Sequence, residues 1–265
     1  MMDPVEVTRG DGPVVLGMPH TGTYVPEDIK RCLNERGRGL TDTDWHIHDL
    51  YEGLLPGATV VRATFHRYVI DANRDPSGVS LYPGQNTTGL VPLTDFDGQD
   101  IWNTPPTEAD IAARKHAFHA PYHAALEAEL QRVQAAHGVA VLYDCHSIRS
   151  RIPFLFEGTL PDFNIGTNNG TTCDATIADA VAEVCENAEG FTSVTNGRFK
   201  GGWTTRHHGR PDTGRHAIQM ELAQSTYMEE APPWAYRPDR AERIRPHLKT
   251  ILSRIDQLAR EGELA

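Results

Sequence analysis

The chain has few cysteines, no long apolar run and no excess of basic residues. Its four cysteines are widely spaced and form no CxxC pair, which argues against a disulfide framework and favours reduced thiols in a cytoplasmic protein. No apolar stretch approaches the ~18 residues of a membrane helix, and the N-terminus lacks a signal-peptide pattern. With 36 acidic and 25 basic residues, the net charge of −11 argues against a nucleic-acid or membrane partner.

Several common catalytic signatures are absent as well. The sequence contains no GxSxG nucleophile motif, no GxxxxGK[ST] phosphate loop and no GxGxxG motif after its first apolar run. Its 13 histidines are many for 265 residues and favour chemistry that depends on imidazole. We therefore expect the functional site to be built from histidine and acidic side chains.

Short apolar runs alternate with helical patterns along the chain. We predict strands at 14–18, 59–63, 67–71, 139–143, 163–167, 192–196 and 217–223, and helices at 41–55, 107–137, 174–187 and 238–264. Pro121 should kink or divide the second helix, and the Gly- and Pro-rich stretch 76–104 should be a loop that covers an active site or is disordered. This alternation predicts a single α/β domain over residues 1–265, with helices on both faces of a parallel or mixed sheet.

Two histidines stand at the ends of apolar runs. His20 follows the predicted strand 14–18, and His146 follows the run that begins at Val139. Because ligands of open α/β sheets bind beyond the carboxyl ends of the strands, these imidazoles are half of a possible metal site. Side chains alternate along a strand, so Asp144 points the same way as His146 and would ligate, orient or bind substrate beside it. The alternative is that His20 is an ordinary histidine of a turn and that a hydrogen bond between Asp144 and His146 closes the strand.

The stretch 42–49 is dense in ligand-type side chains. One carboxylate from it, Asp42 or Asp44, would complete a site of two histidines and one carboxylate with an open position for water. The alternative is a helix start, where acidic residues are favoured by free backbone N–H groups. His46 and His48 are expected on the helix surface.

Charged residues elsewhere suggest a pocket for an acidic substrate. Asn73-Arg74 follows a predicted strand and offers a planar group suited to a carboxylate or an oxyanion, although a structural salt bridge is the alternative. The basic cluster 205–210 is either a solvated loop or part of that pocket. Glu221 lies inside an apolar strand, and burial would raise its pKa, as a general base requires.

Taken together, these motifs resemble the N-formylglutamate amidohydrolase family over nearly the whole chain. The resemblance depends on the stretches 19–22, 41–46, 69–75, 85–90, 144–147 and 206–211. It implies a three-layer α/β fold of the phosphorylase/hydrolase type, with a mixed, mostly parallel sheet. It further implies hydrolysis of N-formyl-L-glutamate to formate and L-glutamate in histidine catabolism, with Zn²⁺ or another divalent metal such as Co²⁺ or Mn²⁺.

The resemblance also implies roles for individual residues. His20, Asp44 and His146 correspond to the metal ligands, with Asp44 preferred over Asp42 from its place in the motif. Glu221 corresponds to the glutamate that acts as general base.

Four further residues are expected to act on the substrate, and Arg67 on the oxyanion. Asn73 and Arg74 resemble a pair that binds a substrate carboxylate, and Arg206 and Ser147 are expected to bind substrate as well. The partner is therefore a small N-acyl amino acid, and the sequence makes no prediction of oligomeric state. Two alternatives are a related amidohydrolase for another N-acyl amino acid and a non-catalytic protein that binds dicarboxylates.

Overall fold

A mixed sheet forms the centre of the protein. In the computed structural model, which describes residues 2–80, 84–262 and 264, this sheet has seven strands. They are β1 (Val5–Thr8), β2 (Val14–Met18), β3 (Thr59–Ala63), β4 (Ala140–Ile148), β5 (Phe163–Gly166), β6 (Ser193–Thr195) and β7 (Arg215–Ala223). Their order is β1-β3-β2-β4-β7-β5-β6, and the β1–β3 and β5–β7 pairs are antiparallel while the other pairs are parallel.

Helices cover both faces of the sheet. They are α1 (Glu27–Cys32), α2 (Glu35–Arg38), α3 (Ile47–Tyr51), α4 (Glu108–Arg114), α5 (Ala120–His137), α6 (Ala175–Glu186), α7 (Trp203–His208) and α8 (Pro238–Glu261). In β4, Val141 and Tyr143 belong to the apolar cluster shared with α6 and α8, whereas Leu142 belongs to the cluster shared with α5. This alternation is the period of a strand buried on both sides, and it confirms the predicted three-layer α/β fold.

The register of the central strands brings distant residues together. Because β2, β4 and β7 are mutually parallel, their carboxyl ends lie at one edge of the sheet. His146 of β4 is paired with Glu221 of β7, and Gly17 of β2 is paired with Asp144. The ends of β2 and β7 lie where the sequence predicted them, but β4 extends to Ile148, beyond the predicted end at 143, so His146 lies within the strand. The structure also adds this pairing.

The predicted strand at 67–71 is wrong. Residues 67–69 form a turn in which Val69 N donates to His66 O at 2.9 Å. The apolar residues of this segment, Tyr68 to Ile70, are fully buried, so the apolar run reflects tertiary burial and not pairing within a sheet.

Other predicted elements differ at their boundaries. The helix predicted at 41–55 is reduced to α3, because the chain turns at His46, whose φ is 59°. In the helix predicted at 107–137, a π-helical turn over Lys115–His119 precedes Pro121, as expected of a residue that lacks an N–H. The predicted loop 76–104 forms no helix and only isolated bridges among its described residues, and 81–83 lie outside them. In the part of the chain that the structure describes, every helix is too short or too polar to cross a membrane.

Candidate functional site

The candidate site lies beyond the carboxyl ends of β2, β4 and β7. His20 is two residues beyond β2. His146 and Glu221 are each two residues before the end of their strands, β4 and β7. Asp44 comes from the turn before α3, and its N–H donates to His20 O at 3.1 Å. This backbone bond fastens the acidic segment to the end of the first central strand.

Three buried side chains of this edge converge. Ligand atoms of His20, Asp44 and His146 all lie within 4.8 Å of one another. Asp44 Oδ2 is 3.7 Å from His20 Nδ1 and 3.2 Å from His146 Nδ1. His20 Nδ1 and Asp44 Oδ1 are buried without a hydrogen-bond partner. Since unpaired buried polar atoms are unfavourable, this donor set fits a divalent cation.

A carboxylate stands behind each imidazole. His20 Nε2 donates to Asp71 Oδ1 at 2.7 Å, and His146 Nε2 lies 3.1 Å from Asp144 Oδ1. Metal-binding histidines typically have such a carboxylate on the nitrogen that does not face the metal, because it fixes the orientation of the ring. This role of Asp71 was not predicted, and the available signal in the sequence was its place two residues before Asn73.

The structure distinguishes the two candidate aspartates. Burial would raise the pKa of Asp44, but hydrogen bonds with His146 and His20 hold it below its usual range, so the carboxylate is ionised. Asp42 instead accepts bonds from Tyr68 OH at 2.8 Å and from a backbone N–H at 2.9 Å, and burial raises its pKa to about 7. Asp44 is thus the carboxylate that faces the two histidines.

Glu221 lies beside this cluster on the neighbouring strand. Its side chain lines the same cavity as His20 and His146, and Gln219 Nε2 donates to Glu221 Oε2 at 3.3 Å. Burial raises the pKa of Glu221 to about 8, although the nearby His146 lowers it in part. Such a carboxyl group can take up and release a proton near neutral pH.

The turn at 67–69 brings Arg67 to the centre. Its Nη2 donates to Asp71 Oδ2 at 2.6 Å, and its Nη1 lies 3.9 Å from Asp44 Oδ1. The guanidinium packs over the ring of Phe96, 4.7 Å from the ring centre, and lines the cavity. Arg67 therefore presents a buried positive charge next to the three converging side chains.

Two more arginines line the cavity, and one of them was not predicted. Arg74 Nη2 donates to Thr88 Oγ1 at 3.0 Å, and Arg198 Nη2 donates to Asn86 O at 2.8 Å. The segment 86–88 therefore connects both guanidinium groups at the cavity wall. Arg206 is placed differently: its Nε donates to Gly201 O at 2.8 Å, and it is not among the described residues that line this cavity.

Asn73 and Ser147 line the cavity but also bind their neighbours. Asn73 Oδ1 accepts a bond from Thr204 N at 2.9 Å, and its Nδ2 is 3.1 Å from His146 Nε2. Ser147 N donates to Asp44 Oδ2 at 3.1 Å, while its hydroxyl accepts a bond from a tyrosine. These contacts hold the converging side chains in place.

Comparison with known proteins agrees with this geometry. Residues 12–228 match the N-formylglutamate amidohydrolase family. A protein of Pseudomonas aeruginosa named N-formylglutamate deformylase is 45% identical over 257 residues, which cover 96% of each chain. One of the same name from Pseudomonas putida is 45% identical over 247 residues, covering 92% of each.

Solved structures show the same similarity. An N-formylglutamate amidohydrolase from Ralstonia eutropha JMP134 superposes with a TM-score of 0.82 at 28% identity, over 98% of this chain and 100% of that chain. A protein of Agrobacterium tumefaciens shares the fold, with a TM-score of 0.75 at 21% identity over 97% of this chain and 96% of that chain.

Proposed function

The chain belongs to the N-formylglutamate amidohydrolase family, and we propose that it hydrolyses N-formyl-L-glutamate to formate and L-glutamate with a divalent metal ion. Zn²⁺ is the expected metal, and Co²⁺ and Mn²⁺ are alternatives. We further propose that residues 1–265 act as one amidohydrolase domain in the cytoplasm, in histidine breakdown. The observation that carries the proposal is the buried convergence of His20, Asp44 and His146 next to Glu221.

The metal would be held by the three converging side chains. His20 would bind through Nδ1, because its Nε2 donates to Asp71. His146 would also bind through Nδ1, which lies 3.2 Å from Asp44 Oδ2, and Asp44 would supply the oxygen ligand. When bound, a divalent ion polarises a water molecule and lowers its pKa from ~15.7 towards ~7.

The protein's own residues then move the proton and stabilise charge. The Glu221 carboxylate accepts a proton from the attacking water, whose oxygen adds to the formyl carbon. Arg67 stabilises the negative charge that develops on the formyl oxygen. Losing one such donor typically costs ~3–4 kcal/mol, or roughly 10²–10³ in rate. Glu221 finally gives its proton to the amine nitrogen as the C–N bond breaks, which yields formate and glutamate.

The cationic side chains of the cavity suit a substrate with two carboxylates. Arg74 and Arg198 line the cavity, and both are bonded to the segment 86–88. Each guanidinium can form a charged hydrogen bond to a carboxylate, while Asn73 and Ser147 contribute to the same wall. The binding roles of these residues are proposals, and the role expected for Arg206 stays a prediction.

A formate-release assay tests the proposed function. We expect release from N-formylglutamate, loss of release with a chelator, and its return with Zn²⁺, Co²⁺ or Mn²⁺, where the most effective ion identifies the metal. The matched control substrate is N-formylglutamine, which lacks only the side-chain charge. Its kcat/KM should be about 10- to 100-fold lower, because one charged hydrogen bond is lost. Binding without release would instead indicate a dicarboxylate-binding protein, and faster turnover of another N-acyl amino acid would indicate a different amidohydrolase.

Arg198 and Arg206 can be compared directly as partners of the side-chain carboxylate of the substrate. Arg198→Gln should remove most of the preference for N-formylglutamate over N-formylglutamine, whereas Arg206→Gln should keep it. The measurement is the ratio of kcat/KM for the two substrates in each variant. The opposite result would assign the side-chain carboxylate to Arg206.

A further inference from the structure

One short turn carries three contacts of the proposed site. Within the turn 71–74, Asp71 binds His20 Nε2 at 2.7 Å, Asn73 Nδ2 lies 3.1 Å from His146 Nε2, and Arg74 lines the cavity. A shift of this backbone would therefore displace a charge, an amide and a guanidinium together. The contacts that hold the turn therefore also determine the geometry of the site.

Two histidines bind the carbonyl groups on either side of Asn73. His123 Nε2 is 2.7 Å from Ala72 O, and His119 Nε2 is 3.0 Å from Arg74 O. A carbonyl oxygen carries no proton, so Nε2–H is the donor in both rings. Both side chains are buried, with His119 2% and His123 8% exposed. The backbone of the turn is thus held at both ends by buried bonds.

The local form of the helix explains why both histidines face this turn. They are four residues apart, a spacing that puts side chains on one face of a helix. His119 ends the π-helical turn Lys115–His119, in which Ala120 N donates to Lys115 O. A π turn inserts one extra residue and changes which side of the helix the following residues occupy, and such turns are frequent at functional sites.

Neighbouring rings fix the orientation of these two histidines. Trp203 packs against both, with ring centres 5.3 Å from His119 and 4.5 Å from His123. His123 Nδ1 lies 3.2 Å from His208 Nε2. His208 Nδ1 in turn lies 3.2 Å from Glu127 Oε2. Both nitrogens of His123 are therefore engaged, and the ring cannot turn without breaking a buried bond.

We propose that His119 and His123 are positioning residues of the formylglutamate reaction, which hold Asn73 and Arg74 against the substrate by binding the carbonyl groups of Ala72 and Arg74. The proposal rests on the proposed function. Among the described residues, neither histidine lines the cavity, so each acts through the turn and not by contact with substrate. A purely structural role would instead make them ordinary packing residues of the π-helical turn and of α5.

Kinetics of substituted enzymes separate these roles. His119→Ala and His123→Ala should each raise KM for N-formylglutamate about tenfold, the effect of losing one buried hydrogen bond. We expect a smaller fall in kcat, because Glu221 lies on β7 and outside the turn, whereas Asp71, which binds His20, lies at its start. Glutamine can place an N–H near the position of Nε2, so His119→Gln and His123→Gln should return KM to within about threefold of wild type. His116→Ala, an exposed position on the same helical segment, is the matched control and should change nothing.

Amide hydrogen exchange and thermal unfolding complete the test. In the alanine variants the amides of Asn73 and Arg74 should exchange faster than in His116→Ala, and glutamine should restore them. If the alanine variants lower kcat and Tm while KM stays at its wild-type value, and glutamine restores neither kcat nor Tm, the histidines only pack the core and the proposal is overturned. If the wild-type enzyme releases no formate, the proposed function fails, but wild-type exchange rates in the alanine variants would still overturn the positioning role by themselves.

Discussion

Replacing Asp71 by Asn tests how the candidate metal ligands are oriented. The Asp71 carboxylate is fully buried and accepts bonds from His20 Nε2 at 2.7 Å, Arg67 Nη2 at 2.6 Å and Asn73 N at 2.8 Å. Burial would raise its pKa, but the two arginines nearest to it and His20 hold the pKa well below its usual range. The substitution therefore removes a charge while it keeps the shape of the side chain and an acceptor for His20.

The size of the effect follows from what surrounds this carboxylate. Loss of a group that orients a metal ligand typically lowers metal affinity by about 10- to 100-fold. In Asp71→Asn the buried Arg67 would also lose its ion pair and turn to Asp44, whose Oδ1 is now 3.9 Å from Arg67 Nη1. Because Arg67 would then compete with the metal for Asp44, we expect the upper end, about 100-fold or ~2.7 kcal/mol.

Asp144→Asn is the matched comparison. Asp144 lies 3.1 Å from His146 Nε2 and accepts a bond from the Thr205 hydroxyl at 2.8 Å. Among the described residues, no ion pair joins Asp144 to an arginine, in contrast to Asp71. We expect a loss of about tenfold. The assay is competition for Zn²⁺ between the metal-free protein and a chelating dye, with circular dichroism as a control of folding. Wild-type affinity in both variants would refute the orienting role, and a larger loss in Asp144→Asn would refute the argument from Arg67.

Two further predictions concern catalysis and packing. Glu221→Gln should retain the metal but lower kcat by roughly 10²–10⁴, because the proton acceptor is removed. Metal analysis and turnover measurements on the same variant check this. A near-wild-type kcat would show that the base is wrongly assigned. Gly202→Ala should lower kcat/KM and Tm, because a Cβ at Gly202 would overlap the Asn73 side-chain amide, and overpacking typically costs about 1–3 kcal/mol. Gly89→Ala, where the nearest atom would be 3.8 Å away, is its control, and equal effects of the two would contradict the explanation.

Some strand boundaries were predictable because burial leaves a local signal. The run 14–18 became β2 with the same boundaries, since a fully buried apolar run of this length is typical of a central parallel strand. The run 59–63 became β3 with the same boundaries, and its residues alternate between buried and half-buried positions. The segment 67–71 has the same local signal but lies in a turn. A run of apolar residues indicates that a segment is buried. It does not indicate whether the backbone hydrogen bonds of that segment go to a neighbouring strand or elsewhere.

The wrong strand prediction at 67–71 explains why Arg67 could not be placed beside Asp71 and Asp44 from the sequence. Four residues along a strand span about 13 Å, which would have put Arg67 and Asp71 at opposite ends of the element. In the turn, Arg67 Nη2 and Asp71 Oδ2 are 2.6 Å apart. The same change of backbone brings the guanidinium to Asp44. Positions on central strands were therefore easier to predict than the charged residues that loops bring to them.

Arg206 and Arg198 show the same limit. Arg206 was expected to face the substrate because it lies in a basic cluster, but that cluster begins in α7, where successive side chains are rotated by about 100°. Thr205 of α7 donates to Asp144 Oδ2 at 2.8 Å, so the next residue must point elsewhere, and Arg206 Nε binds Gly201 O. Arg198, three residues beyond β6, reaches the cavity from an irregular segment whose direction no periodicity records. The direction of a six-residue helix thus decides that Arg206 does not line the cavity, and composition alone does not contain that information.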